Sequence, residues 1–339
     1  MKLLIVTQVV DKNHPILGFF HRWIEEFAKN CEKVIVICLE KGEYDLPKNV
    51  TVHSLGKEEG KGRLVYLWRF YRYIWTFRKQ YDNVFVHMNQ EYILLAGFFW
   101  KLGGRRIHLW RNHYAGSWLT DIAVALTNRV YYTSSGSYTA KFKRSKKMTI
   151  GIDTELFSCA NEIKKENSLL YIGRISESKR IIHILELLAL LKKDGVNYSL
   201  TIVGPCTSKA DELYLQSLKE YININNIHVN FKGPTSRYNL PKEYCSHQIL
   251  INLSPPGMFD KVIGEALSCG LDVITTNADL EDIVGLKKID TDGDITKLLY
   301  NYFLHKDTYS ANNDGRKFIE EYHSLSKLVT SIIESIKSN

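Results

Sequence analysis

The chain has 339 residues, with 45 lysines and arginines against 37 aspartates and glutamates, a formal net charge of +8 and an isoelectric point near 9.0. Hydrophobic residues make up 45% and charged residues 24%, ordinary globular proportions that exclude wholesale disorder. A single core stops growing at about this length, so two domains of roughly 150 residues are expected. The positive balance suits a phosphorylated substrate, an anionic membrane or nucleic acid; without zinc-finger spacing or an RNP-type aromatic strand, nucleic acid is not expected as a partner.

MKLLIVTQVV reads as a first strand rather than a leader, because Gln8 interrupts it, Asp11 follows and no small-residue cleavage site is present. A helix around HRWIEEFAKN comes next, then strands KVIVICLE and NVTVHSL, a helix within 63–80 and the strand NVFVHM. Helices near 91–101 and 118–127 flank the strand RRIHLW, and RVYYTSS closes the series. This alternation predicts a mostly parallel sheet covered on both faces. YILLAGFFW, the longest apolar run in this half, is about half of what a bilayer crossing requires.

The polar segment CANEIKKENS reads as a linker. Beyond it come SLLYIGR, a helix over 180–193, YSLTIVG, a helix near 210–221, IHVNFKG, a helix over 237–246, QILINLS, a helix over 261–269 and DVITT. The predicted organisation is an α/β protein of two Rossmann-like domains with mostly parallel sheets facing across a cleft. The first domain covers 1–155, the second 165–322, and a helix over 323–339, with Leu328, Ile332 and Ile336 on one stripe, docks back on the first.

The segment YIGRISESK places Arg174 and Lys179 just after a strand that ends at Gly173 and just before an apolar helix. Helix amides and the dipole favour an anion there, and two added cations suit a highly charged one. The other reading is a solvated turn. Further on, QILINLS leads to a helix carrying Glu265 in its opening turns. That acid can partner the helix dipole or accept both hydroxyls of a ribose. Lys261 precedes it by four residues, the less favourable order for a helical ion pair.

In order and spacing, GIDTELF, the strand-Gly173-Arg174-x4-Lys179 pattern, TIVGP and FDKVIGEALSCGLDVITT resemble family 4 (group 1) retaining glycosyltransferases of the GT-B fold. The resemblance covers nearly the whole chain, is strongest over 150–277, and extends to TQVVDKNHPILGFFHRW and LWRNHYAG in the first half. It implies sugar transfer from a nucleotide-diphosphate sugar to an acceptor hydroxyl of a glycan or lipid-linked acceptor, in cell-surface glycan or glycolipid synthesis, with no cofactor and no obligatory metal. In that scheme Arg174 and Lys179 hold the diphosphate and stabilise its growing charge. Glu265 binds the ribose; Gly257, Met258, Phe259 and Asp260 lie along the donor sugar. Gly18 lets the backbone approach phosphate or acceptor, and His113, favoured over His87, contacts the transferring sugar.

Two departures matter. The family's second glutamate, seven residues away from the Glu265 position, is replaced by Gly257, and the Gly-Gly expected after the next strand is absent from TTNADLEDIV. The donor sugar is therefore unassigned. A nucleotide-sugar epimerase and a non-catalytic sugar-nucleotide binder are the alternatives.

Three further expectations concern other segments. The six cysteines, at 31, 38, 159, 206, 245 and 269, form no C-x-x-C pair and read as reduced cytoplasmic thiols without zinc. Asp290, Asp292 and Asp294 lack EF-hand spacing and read as a turn with an aspartate N-cap. Within 63–80, Leu64, Leu67, Trp68, Tyr71, Ile74 and Trp75 form a stripe suited to packing on the sheet. Tyr66, Phe70, Tyr73 and Phe77, with Arg69 at the edge, form a second stripe, read either as buried under a neighbour or as facing the anionic inner membrane surface of a peripheral enzyme.

Overall fold

The computed structural model describes residues 1–14, 16–159, 164–255, 260–277, 283–290, 293–305 and 311–338. The chain divides into two compact units, Met1–Gly151 with the segment from Leu325 onward, and Ile152–Ser324. Of the polar segment read as a linker, Cys159 and residues 164–168 belong to the second unit.

The first unit runs β1 (Lys2–Val10), α1 (Phe19–Asn30), β2 (Lys33–Lys41), β3 (Val50–Ser54), α2 (Arg63–Thr76), β4 (Asn83–His87), α3 (Glu91–Leu102), β5 (Arg106–Trp110), α4 (Trp118–Leu126), β6 (Arg129–Tyr132) and β7 (Ser145–Lys147). All strands are parallel, in the order β3-β2-β1-β4-β5-β6-β7. Leu3, Leu4, Ile5 and Val6 are wholly buried, because successive side chains of the central strand enter cores on opposite faces of the sheet.

The second unit runs β8 (Ser168–Ile172), α5 (Ile181–Lys193), β9 (Ser199–Val203), α6 (Lys209–Asn225), β10 (Val229–Gly233), α7 (Leu240–Ser246), β11 (Ile249–Asn252), α8 (Lys261–Ser268), β12 (Asp272–Thr275), β13 (Leu286–Lys288), α9 (Ile295–Leu304) and α10 (Asn313–Tyr322). Its strands are also parallel, ordered β10-β9-β8-β11-β12-β13. The Asp294 side chain caps α9 by accepting the Lys297 amide at 3.2 Å.

β7, β13 and α10 have no counterpart in the sequence reading. The two strands, Ser-Lys-Lys and Leu-Lys-Lys, are sheet edges of three residues each, where lysines block further pairing and no apolar run forms.

The final helix, α11 (Leu325–Lys337), packs on α1. Leu328, Val329, Ile332 and Ile336 join Phe20, Trp23 and Phe27 of α1 in one buried cluster over β1 and β2.

The first stripe of α2, expected to pack on the sheet, is largely exposed, and the second takes the buried one of its two readings. Phe70 is buried, and Tyr66, Tyr73 and Phe77 pack against the same core. Leu64, Trp68 and Trp75 are 83%, 59% and 68% exposed, although Ile74 of their stripe is buried. Both stripes are aromatic, so periodicity could not choose between them. Polar contacts at the second stripe's edge settle the orientation: the Tyr73 hydroxyl donates to the Ser54 carbonyl at 3.3 Å, the His53 ring lies 4.5 Å from Phe77, and Arg69 forks onto Glu59 at 2.8 and 2.7 Å.

Leu328→Ala is expected to destabilise the first unit by about 3 kcal/mol through lost burial and a residual cavity. Calorimetric melting should show one transition lowered; an unshifted melt would mean that α11 is not part of this core.

Candidate functional site

In the second sheet the first strand, β8, lies between β9 and β11. The chain moves to one side through β9 and β10, then crosses to the other for β11, so the loops after β8 and β11 diverge. That is the switch point where parallel α/β sheets receive ligands. Lys179, in the short turn after β8, reaches across it. Its Nζ donates to Ser254 Oγ at 2.8 Å and to Asp260 Oδ2 at 2.9 Å. The Ser254 hydroxyl and the Asn252 amide also donate to Asp260 Oδ2, at 2.5 and 3.0 Å. Burial works to raise the Asp260 carboxyl, but Lys179 and these donors outweigh it and hold it below its ordinary range.

Arg174 stands on the loop between β8 and that turn. The loop is stitched to the one after β9: the Gly173 amide donates to the Val203 carbonyl at 3.0 Å and the Ile175 amide to the Pro205 carbonyl at 2.9 Å. Gly204 makes this approach possible. Its φ is +146°, and a Cβ there would lie 1.9 Å from the Gly173 carbonyl oxygen. The Tyr171 hydroxyl donates to the Arg174 carbonyl at 2.8 Å. The Arg174 side chain itself is exposed, with no ion-pair partner among the described residues.

Glu265 is placed differently from what its sequence position suggests. It is buried in α8, where Arg237 Nη1 donates to Oε1 at 2.8 Å and the Tyr244 hydroxyl to Oε2 at 2.9 Å. The Arg237 guanidinium also lies over the Phe157 ring at 4.7 Å. Burial, then the charge of Glu265, pushes the Tyr244 phenol well above its ordinary value, so it remains a neutral donor. At the start of α8, burial lowers the Lys261 ammonium to about 7; Arg237 repels it further and Glu265 acts in the opposite sense. Arg237 and Tyr244 were missed in the sequence because they lie 28 and 21 residues from Glu265, with no motif around them. Gly257, Met258 and Phe259 lie outside the described residues.

Gly173, Arg174, Lys179 and Asp260 therefore share one switch point, while the Glu265 carboxylate turns toward Arg237 and Tyr244. Chemically, the switch point presents cations around a carboxylate already neutralised by one of them, a field suited to an added anion.

Gly18 and His113 belong to the first unit. A Cβ at Gly18 would meet the backbone oxygens of His14 at 2.6 Å and Lys12 at 2.9 Å, so its own loop requires glycine there. His113 follows β5, half-buried; its Nδ1 is engaged by the Ala115 backbone, 3.0 Å from the amide and 3.3 Å from the carbonyl, which orients the ring. His87 ends β4, buried in a stack with Phe20 at 3.8 Å and beside the Thr7 hydroxyl at 3.2 Å.

The cysteine expectation is corrected. Cys159 and Cys245 form a disulfide with Cα atoms 5.5 Å apart, bridging 86 residues of sequence. Local spacing cannot reveal a pair that the fold brings together across such a distance. Cys269 lies beside the bridge, the three sulfurs being within 4.8 Å of one another. No helix among the described residues is long and apolar enough to cross a membrane.

Residues 153–284 match the family model described as glycosyl transferases group 1. The resemblance read from the motifs holds at that level, within the second unit. No curated protein matches by sequence. Similar solved structures include Anabaena HepE in complex with UDP, 16% identical over all of both chains with a TM-score of 0.76. Sucrose-phosphate synthase from Thermosynechococcus elongatus is 13% identical over 100% of this chain and 99% of its own, with a TM-score of 0.71. The lipopolysaccharide outer core galactosyltransferase WaaB is 15% identical over 100% and 99%, with a TM-score of 0.68. These likenesses establish the GT-B fold, two Rossmann-like domains with parallel sheets.

Two predictions follow from the Glu265 cluster. Arg237→Ala strands a buried carboxylate and should cost about 3 to 5 kcal/mol; urea unfolding measures it, and adding Glu265→Gln should recover part of the loss. An equal loss in both variants would show that the pair is not coupled. The pH profile of stability tests Lys261. Between about 7 and 10.5 the unfolded chain holds a proton that the folded one has released, so stability rises with pH across this window and the penalty is complete below it. Lys261→Met should flatten that rise in thermal melts recorded from pH 7 to 10.

Proposed function

We propose that the protein is a retaining glycosyltransferase of family 4 type that moves a sugar from a nucleotide-diphosphate sugar to an acceptor hydroxyl on a glycan or lipid-linked acceptor, in cell-surface glycan or glycolipid synthesis at the cytoplasmic side. The observation that supports it most is the placing of Arg174 and Lys179 at the switch point of the second sheet, with Lys179 bonded to Asp260 across it. The family match over 153–284 and the UDP and UDP-glucose complexes of Anabaena HepE support the donor class.

In this reading Arg174 and Lys179 carry the diphosphate and take up the charge that develops on it as the glycosidic bond breaks. Three donors already occupy Asp260 Oδ2, so Oδ1 accepts a hydroxyl of the donor sugar in place of the glutamate that Gly257 replaces. Glu265, fixed by Arg237 and Tyr244, receives the ribose with its remaining lone pairs. His113, through Nε2, contacts the transferring sugar, and Gly18 shapes the first-domain loop near phosphate or acceptor. Gly257, Met258 and Phe259 line the donor sugar. The acceptor hydroxyl attacks on the face from which the diphosphate leaves, and a phosphate oxygen takes its proton. No enzyme nucleophile, cofactor or metal takes part in the scheme.

A thermal-shift screen of nucleotide-diphosphate sugars tests the donor site. Ligand at about a hundredfold its Kd adds about 2.7 kcal/mol of stability; wild type should gain this with one donor and Arg174→Ala should lose most of it. With that donor and an acceptor panel, NMR should show product of unchanged anomeric configuration, formed equally with chelator present. Equal shifts in both proteins, or an inverted product, would defeat the proposal.

A further inference from the structure

Beside α2 and α3 the first unit carries a groove of about 940 Å³ that the transfer chemistry does not use. Its walls are aromatic and aliphatic: Trp68, Tyr71 and Trp75 come from α2, Phe99 and Leu102 from α3. Trp68, Trp75, Phe99 and Leu102 are 59%, 68%, 58% and 72% exposed, far more apolar surface in one place than isolated surface residues present.

The charge around it has one sign. Arg72, Arg78, Lys79 and Arg105 also line the groove, and no lining residue is acidic. Among the described residues none of the four has a carboxylate partner within ion-pair reach. Two of the guanidiniums lie on the exposed indoles, Arg72 at 5.1 Å from the Trp68 ring and Arg78 at 4.3 Å from that of Trp75. Each pair thus combines an apolar plate with a cationic head.

We propose that this groove docks the protein onto an anionic lipid bilayer, with Trp68, Trp75 and Phe99 at headgroup depth and the four cations on lipid phosphates. Charge complementarity selects this occupant. A dry protein interface over the same groove would desolvate four cations that have no carboxylate partner among the described residues, two of which, Arg78 and Arg105, donate only to backbone carbonyls of Trp75 and Arg78, whereas the headgroup layer keeps them hydrated and supplies their counter-charge while admitting the indoles. The surface is the face of α2 opposite to the one whose sequence suggested membrane contact, and the inference is independent of the donor chemistry.

Full-length protein is sedimented with vesicles of phosphatidylcholine alone and of phosphatidylcholine with phosphatidylglycerol. Wild type should bind the anionic vesicles preferentially, less so at high salt, and its tryptophan emission should shift to the blue and be quenched by brominated acyl chains. Trp68→Gln with Trp75→Gln should abolish the quenching. Arg72→Gln with Lys79→Gln should lower partitioning by on the order of tenfold or more. Both pairs are exposed, so melting temperatures should stay near wild type, and the wild-type quenching reads the contact without any variant. Equal binding to both vesicle types, or variants that bind as wild type does, would overturn the proposal. So would lipid-free self-association that disappears in the tryptophan variant, since it would assign the groove to a second copy of the chain.

Discussion

A parallel sheet whose first strand lies in its interior must send its chain outward on both sides, and at the single place where it reverses, two loops part and leave an opening between them. In the second unit that place lies between β8 and β11, and the Lys179–Asp260 pair at 2.9 Å spans it. The pair joins residues 81 positions apart and fixes the turn before α5 to the start of α8. Ser254 and Asn252 complete the arrangement by donating to the same carboxylate oxygen. A carboxylate held by three donors stays ionised.

Charges in this unit divide into balanced and unbalanced groups. Glu265 is buried and matched by Arg237, with Tyr244 satisfying its second oxygen. Such a pair adds little net stability compared with an apolar packing, but removing one partner is costly, so it holds α8 and the segment before α7 in one relative position. Arg174, by contrast, is exposed on a loop held close by the Gly173–Gly204 contact. An anion arriving at the switch point therefore meets a guanidinium without an ion-pair partner among the described residues, on a loop held by backbone hydrogen bonds, and little of its binding energy is spent on ordering the site.

The first unit uses the same strand order for its central strands and adds a covering layer of a different kind. α11 closes one face with branched aliphatics, whereas α2 and α3 leave indole, phenyl and guanidinium groups on the surface. An apolar surface ringed by cations alone is not what a simple solvated helix face requires, since mixed charges would serve solubility better.

Much of the fold was legible because buried parallel strands are short apolar runs and the helices between them carry stripes at helical spacing: KLLIVTQ, SLLYIG and QILINLS all became strands, and the stripe of Leu328, Ile332 and Ile336 became a buried helix face. Local glycine and charge patterns likewise marked Arg174 and Lys179. The remaining features depended on contacts between distant segments, which leave no local periodicity. Arg237 on Glu265, Cys159 joined to Cys245, and the lysine-rich edge strands are of this kind. The orientation of α2 is the clearest instance: both its stripes are aromatic, and a polar edge formed by Ser54, His53 and Glu59 chose which one the sheet would cover. A chain's own pattern states that a segment has apolar faces; which of two equal faces is buried depends on partners that only folding brings within reach.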